Sequence, residues 1–120
     1  MSAVLLIAVG AALGACARFI IDRRLNGRWP RGTLLVNLLG SLILGIAVGY
    51  SLSTPSGSAL MLALVGTGFC GGFTTFSTFS LETLELLRAG RAGTAALYVC
   101  GSVAAGLLGV WLAMRLARGA

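Results

Sequence analysis

Residues 71–80, GGFTTFSTFS, lie inside an apolar element that runs from about 59 to 87. That element is too long and too interrupted to be one ordinary helix. Adjacent glycines weaken a helix, and the hydroxyls of Thr74, Thr75, Ser77, Thr78 and Ser80 demand hydrogen-bond partners within hydrocarbon. We expect a helix to about Cys70, a non-helical break over residues 71–75, and a second half-helix to about Arg88. In a membrane such a break is tolerated only where protein or an aqueous cavity satisfies the freed backbone groups. The stretch therefore fixes both the kind of fold and the place where polar chemistry happens.

The rest of the chain supplies the wrapping. Of 120 residues 58% are hydrophobic and 10% charged, too few charges to cover a soluble core. Residues 3–21, 33–52 and 93–114 are each long and apolar enough to cross a bilayer. The reading is an all-α integral membrane protein, a single domain over 1–120, with four transmembrane helices and a broken third helix (59–87). Residues 13–16, LGAC, resemble a lipoprotein cleavage box, but no positive region precedes the first apolar run, which is kept as a transmembrane helix. Residues 22–32, DRRLNGRWPRG, form a polar connection with Trp29 at headgroup level and Pro30 as a breaker. Four spans put both termini on one side.

The net charge of +6 comes from nine arginines against Asp22, Glu82 and Glu85. The arginines sit mainly at span ends rather than in a stripe interleaved with aromatics, so they read as headgroup anchors and not as a nucleic-acid surface. Cys16, Cys70 and Cys100 lack metal-type spacing and read as small buried hydrophobes. With no histidine and three carboxylates, a metal-hydrolase or Ser-His-Asp site lacks its parts, and no enzyme is expected.

Unwinding would leave main-chain carbonyls free, the ligands a small hard cation such as sodium needs, while the following half-helix presents N–H groups and a positive dipole end. Phe76 and Phe79, three apart, share a face of that half-helix. Such a pair is ordinarily core packing, but an aromatic edge is partly positive and can face an anion without trapping it. Asn37 in the second span serves packing or transport equally well on its own. Together Asn37, Ser77, Thr78, Ser102 and the phenylalanine edges are rich in neutral donors and poor in charge. That suits a small dehydrated anion held firmly enough to enter and weakly enough to leave. Arg18, near the end of the first span, either snorkels beside Asp22 or serves a structural or anion-attracting role. Glu85 reads as an exposed helix-end charge near Arg88, and Glu82 as a vestibule residue.

Residues 68–80, GFCGGFTTFSTFS, resemble the signature of the Fluc (CrcB-type) fluoride channels. Residues 32–40, GTLLVNLLG, are similar to that family's second-span motif, and Gly14 with Arg18 to its first. The resemblance covers essentially the whole chain. It implies a fluoride-selective channel that passively exports fluoride across a bacterial inner membrane, built as an antiparallel, dual-topology homodimer with two pores and a structural sodium ion at its centre. By motif, Phe76 and Phe79 match the pore phenylalanines and Asn37 the fluoride pathway. The backbone carbonyls of Gly71 and Thr74 match the sodium ligands. Ser77, Thr78, Tyr98 and Ser102 match the polar track and its support, and Glu82 a glutamate near the pore end.

The chain departs from the family pattern in two respects. Ala104 and Gly106 stand where the family's fourth span often carries further hydroxyls. Arg23, Arg24, Arg28, Arg31, Arg88 and Arg91 lie on one side, against Arg115 and Arg118 on the other, which favours one orientation and admits pairing with an oppositely inserted homologue. The competing reading is a small four-helix proton-coupled multidrug exporter. It would need a carboxylate at mid-depth, and the spans hold none.

Overall fold

A computed structural model describes residues 2–54, 56 and 58–119. Helix α1 (Ala3–Leu25) starts where the Ser2 hydroxyl accepts the Leu5 amide. It ends at Asn26, whose side chain caps the next helix across the intervening turn. Asn26 Oδ1 accepts the amides of Gly32 at 2.7 Å and Thr33 at 3.2 Å, and Nδ2 donates to Thr33 Oγ1 at 3.2 Å. These are the orphan donors that open α2 (Arg31–Ser53) directly after Pro30.

The third span comprises α3 (Ser58–Met61), a π-helical segment (Leu62–Cys70), α4 (Gly71–Phe73), a break, and α5 (Ser77–Arg88). A Schellman-type turn at Gly90, whose φ of +74° glycine adopts without strain, leads into α6 (Ala92–Ala117). Four helical spans are thus long and apolar enough to cross a membrane. They overrun the apolar stretches read from sequence by up to four residues, and the added turns carry Arg23, Arg24 and Arg115.

The break lies at residues 74–76, not 71–75. Helix persists through Gly71 and Gly72, and at Gly72 the glycine permits close approach instead of disorder. A Cβ on Gly72 would stand 2.2 Å from the Ala11 carbonyl oxygen. The same seam continues through Gly10 and Gly14 of α1, where Cβ atoms would meet the Leu64 and Phe69 carbonyl oxygens at 2.2 Å, and through Gly68. Small residues let backbones touch, which is how helices associate where lipid offers no hydrophobic drive. A second seam joins α2 to α6, with Gly45 and Gly49 against the carbonyls of Val110 and Met114. The main pairings are therefore α1 with the third span and α2 with α6.

The result is a slab of 51 × 30 × 19 Å, long enough to reach both headgroup layers and thin across. Val36 and Phe73 are buried, while large apolar side chains on every span face outward. Cys70 is buried as expected, but Cys16 and Cys100 lie on outward faces. Arg91 stacks on Trp29 with its guanidinium carbon 4.4 Å from the ring centroid, joining the α5–α6 and α1–α2 turns. That end of the slab collects Arg23, Arg24, Arg28, Arg31, Arg88 and Arg91.

Candidate functional site

At Thr74 the backbone turns extended, with φ −82° and ψ 161°, and at Phe76 it is back in the helical region with φ −91° and ψ −35°. Two amides that would have continued the helix are bound to side chains instead. The Thr75 N–H, which would have met the Gly71 carbonyl, donates to Asn37 Oδ1 at 2.8 Å, and Asn37 Nδ2 returns a bond to the Thr75 carbonyl at 3.1 Å. The side-chain amide thus pairs with residue 75 as a strand would. Its orientation is forced, since a backbone amide only donates and a carbonyl only accepts. Ser41 Oγ bonds the Asn37 carbonyl at 2.8 Å, and Gly40 leaves room for the Thr74 methyl.

The Thr78 N–H, which would have met the Thr74 carbonyl, donates to Thr75 Oγ1 at 3.1 Å. Thr75 therefore caps α5. The carbonyls of Gly71 and Thr74, the two matched to sodium ligands by motif, are the ones whose helical donors have been diverted to side chains. They fit a hard cation in donor type, and Gly71 is exposed with open space where a Cβ would stand.

A cleft of about 570 Å³ opens beside the break, between α2, the π-helical segment and α6. It brings together Asn37, Gly71, Thr74, Phe76, Phe79 and Ser102, and among the described residues no charged side chain lines it. Phe76 is 79% exposed. Phe79 sits between Phe76 and Tyr98, with ring centroids at 6.1 and 5.0 Å. Ser102 Oγ is buried and has no hydrogen-bond partner among the described residues. One N–H of Asn37 Nδ2 is left over from the clamp, so two neutral donors border the cleft.

Other expected residues lie apart from the cleft. Ser77 is exposed at the start of α5, with its hydroxyl 3.4 Å from Thr75 Oγ1, and Thr78 enters through its backbone. Tyr98 stands beyond Phe79 and donates to Glu82 Oε1 at 3.2 Å. Arg18 lies on the α1 side, bonded to the Gly72 carbonyl. Asp22, loosely paired with Arg18, and Glu82, bonded to Tyr98, are not among the residues lining the cleft. The exporter reading has no support here. Thr75 was not singled out as a site residue from sequence. A threonine inside a break, three residues before a first-turn amide of the following helix, is the signal that marks Thr75 as a cap.

Fold and site together define a class: a small multi-pass membrane protein whose third span breaks to expose uncompensated carbonyls and neutral donors to an uncharged, aromatic-lined cleft. The chain belongs to the CrcB-like family. The family model described as "CrcB-like protein, Camphor Resistance (CrcB)" matches residues 5–114. A relative named fluoride-specific ion channel FluC 2, from Rhodococcus jostii, is 50% identical over 115 residues, covering 94% of this chain and 96% of its own. A fluoride-specific ion channel FluC from Prosthecochloris aestuarii is 42% identical over 120 residues, covering 98% and 94%. Another FluC 2, from Cutibacterium acnes, is 40% identical over 114 residues, covering 92% and 93%.

Proposed function

We propose that this chain is a fluoride-selective ion channel that lets fluoride leave the cell down its electrochemical gradient. The observation that carries the reading is near-full-length kinship, at 40–50% identity, with relatives named fluoride-specific ion channels. The cleft supports it chemically. A small, strongly hydrated anion loses its water only where donors replace it, and a fixed cation would hold it too tightly to conduct. The free N–H of Asn37 and the hydroxyl of Ser102 supply donors, the edges of Phe76 and Phe79 supply partial positive charge, and no arginine among the described residues lines the cleft. Ser77, Thr78 and Tyr98 extend the polar path beyond it.

The working assembly is an antiparallel homodimer in the bacterial inner membrane. The open cleft, the exposed Phe76 and the slab's outward apolar faces favour a second subunit closing the pore. Sodium, held by the carbonyls of Gly71 and Thr74 from each copy, would supply a fixed positive charge that ties the two breaks together. The six-to-two arginine asymmetry favours one insertion direction, so an oppositely inserted homologue is the alternative partner.

The test is efflux from potassium-loaded liposomes containing the purified protein, with valinomycin to clamp charge and electrodes for fluoride and chloride. Rapid fluoride efflux without chloride efflux is expected. Phe76→Ile and Phe79→Ile should each abolish it while the dimer stays intact. Equal fluoride and chloride efflux from the wild type, or unchanged efflux in both variants, would refute the reading.

A further inference from the structure

Where α4 ends, the carbonyls of its last turn must find partners outside the helix. Cys70 is satisfied by Thr74, whose amide and hydroxyl bond its carbonyl at 3.0 and 2.8 Å. The Gly72 carbonyl, whose helical donor would be the Phe76 amide, accepts instead from Nε of Arg18 at 3.2 Å, across 54 residues of sequence. The atom used is informative. Nε is the guanidinium nitrogen joined directly to the aliphatic stem. The terminal Nη1 turns to Asp22 Oδ2 at 3.8 Å, beyond hydrogen-bond length. The close contact of this side chain is with a neutral carbonyl, and its charge pair is loose.

We propose that Arg18 is the positioning residue of the break and that it acts as a hydrogen-bond donor rather than as a charge. By occupying the Gly72 carbonyl it prevents the Phe76 amide from recapturing it and extending α4 by another residue. Gly72 does not line the cleft, whereas Gly71 and Thr74 do. The α1 donor thus holds one carbonyl back while its neighbours stay free at the cleft. Asn37 performs the matching task from α2 by taking the Thr75 amide. The break is held from two helices at once, each contributing one side chain.

The inference concerns the conformation of the break and relies on the proposed channel activity only for one of its two readouts. Glutamine carries its amide nitrogen as many bonds from the backbone as the Nε of arginine. Arg18→Gln therefore keeps the donor without the charge, whereas Arg18→Met keeps length without a donor. Asp22→Asn removes the ion pair and leaves the donor. The full chain and these variants would be compared in lipid nanodiscs by hydrogen exchange of residues 74–80, and in liposomes by fluoride efflux. Arg18→Gln and Asp22→Asn should exchange as the wild type does. In Arg18→Met the Phe76 amide, free to recapture the Gly72 carbonyl, should exchange more slowly by about tenfold, as expected when one hydrogen bond is gained, with efflux falling in the same order.

Arg18→Gln behaving like Arg18→Met, or Asp22→Asn reproducing the Arg18→Met change, would assign the role to charge and overturn the proposal. Wild-type exchange in Arg18→Met would overturn it too. Should Arg18→Met not fold, Arg18→Gln decides, with wild-type protection supporting the proposal and altered protection overturning it. Absence of fluoride efflux from the wild type would count against the channel reading and leave the exchange comparison standing.

Discussion

Replacing Asn37 with alanine removes both bonds of the clamp, the one accepted from the Thr75 amide at 2.8 Å and the one given to its carbonyl at 3.1 Å. Thr75 is only 8% exposed, so little water can take over. An interhelical side-chain hydrogen bond in a membrane protein averages about 0.6 kcal/mol and reaches about 1.7, while a buried backbone group left without a partner costs about 1–3 kcal/mol. Recapture of the Thr75 amide by the Gly71 carbonyl recovers part of this, which leaves a loss of about 2–4 kcal/mol. At about 1.4 kcal/mol per factor of ten, the broken conformation drops roughly 30- to 700-fold against a closed, continuous helix.

Recapture also withdraws the Gly71 carbonyl from the cleft. Asn37→Ala should therefore change hydrogen exchange at residues 74–78 and lower fluoride efflux by about tenfold or more. Asn37→Asp keeps the acceptor but sets a carboxylate oxygen against the Thr75 carbonyl, and its exchange should fall between alanine and wild type. Wild-type exchange and efflux in Asn37→Ala would refute the clamp. Lost efflux with unchanged exchange would reduce Asn37 to an ion ligand alone.

Gly14→Ala places a Cβ 2.2 Å from the Phe69 carbonyl oxygen and 2.8 Å from the Phe73 amide nitrogen, backbone atoms that cannot swing aside. It should destabilise the fold by about 1–3 kcal/mol, read as a lowered melting temperature in detergent. Gly71→Ala meets nothing within 4 Å inside the chain. It should leave helicity intact while reducing the dimer fraction and the protection given by sodium, as followed by cross-linking and melting with and without the ion. Tyr98→Phe keeps the ring against Phe79 but deletes the donor to Glu82. It should lower stability by about 0.5–1.5 kcal/mol and reduce efflux without altering the dimer.

Span number and type were legible because hydrophobic runs bounded by arginines report on the bilayer, a solvent with one dominant rule. The existence of a broken third span was equally legible from its glycines and hydroxyls. Its position was three residues off at the leading edge, because a glycine such as Gly72 looks the same in sequence whether it loosens a helix or seats it against a neighbour. Only the Ala11 carbonyl, more than sixty residues away in the chain, reveals the second use. The same limit applies at the site. Asn37, Phe76, Phe79 and Ser102 could be nominated from residue chemistry, and the structure gathers them at one cleft. That Asn37 spends two of its bonds on Thr75, and Arg18 its closest bond on Gly72, depends on pairings that no periodicity encodes.

The pairing of α1 with the third span also sets a clock. The Gly72 carbonyl follows Arg18 by 54 residues, and at about 5–20 residues per second a ribosome needs roughly 3–10 s to deliver it. Throughout that interval the first helix sits in lipid with its glycine face unmatched and its arginine drawn toward water. The second helix cannot relieve it, because α2 pairs mainly with α6, the last to be made. Neither main seam closes between consecutive helices, so the nascent chain must tolerate two unfinished surfaces at once, and the final shape is reached only after synthesis is nearly over.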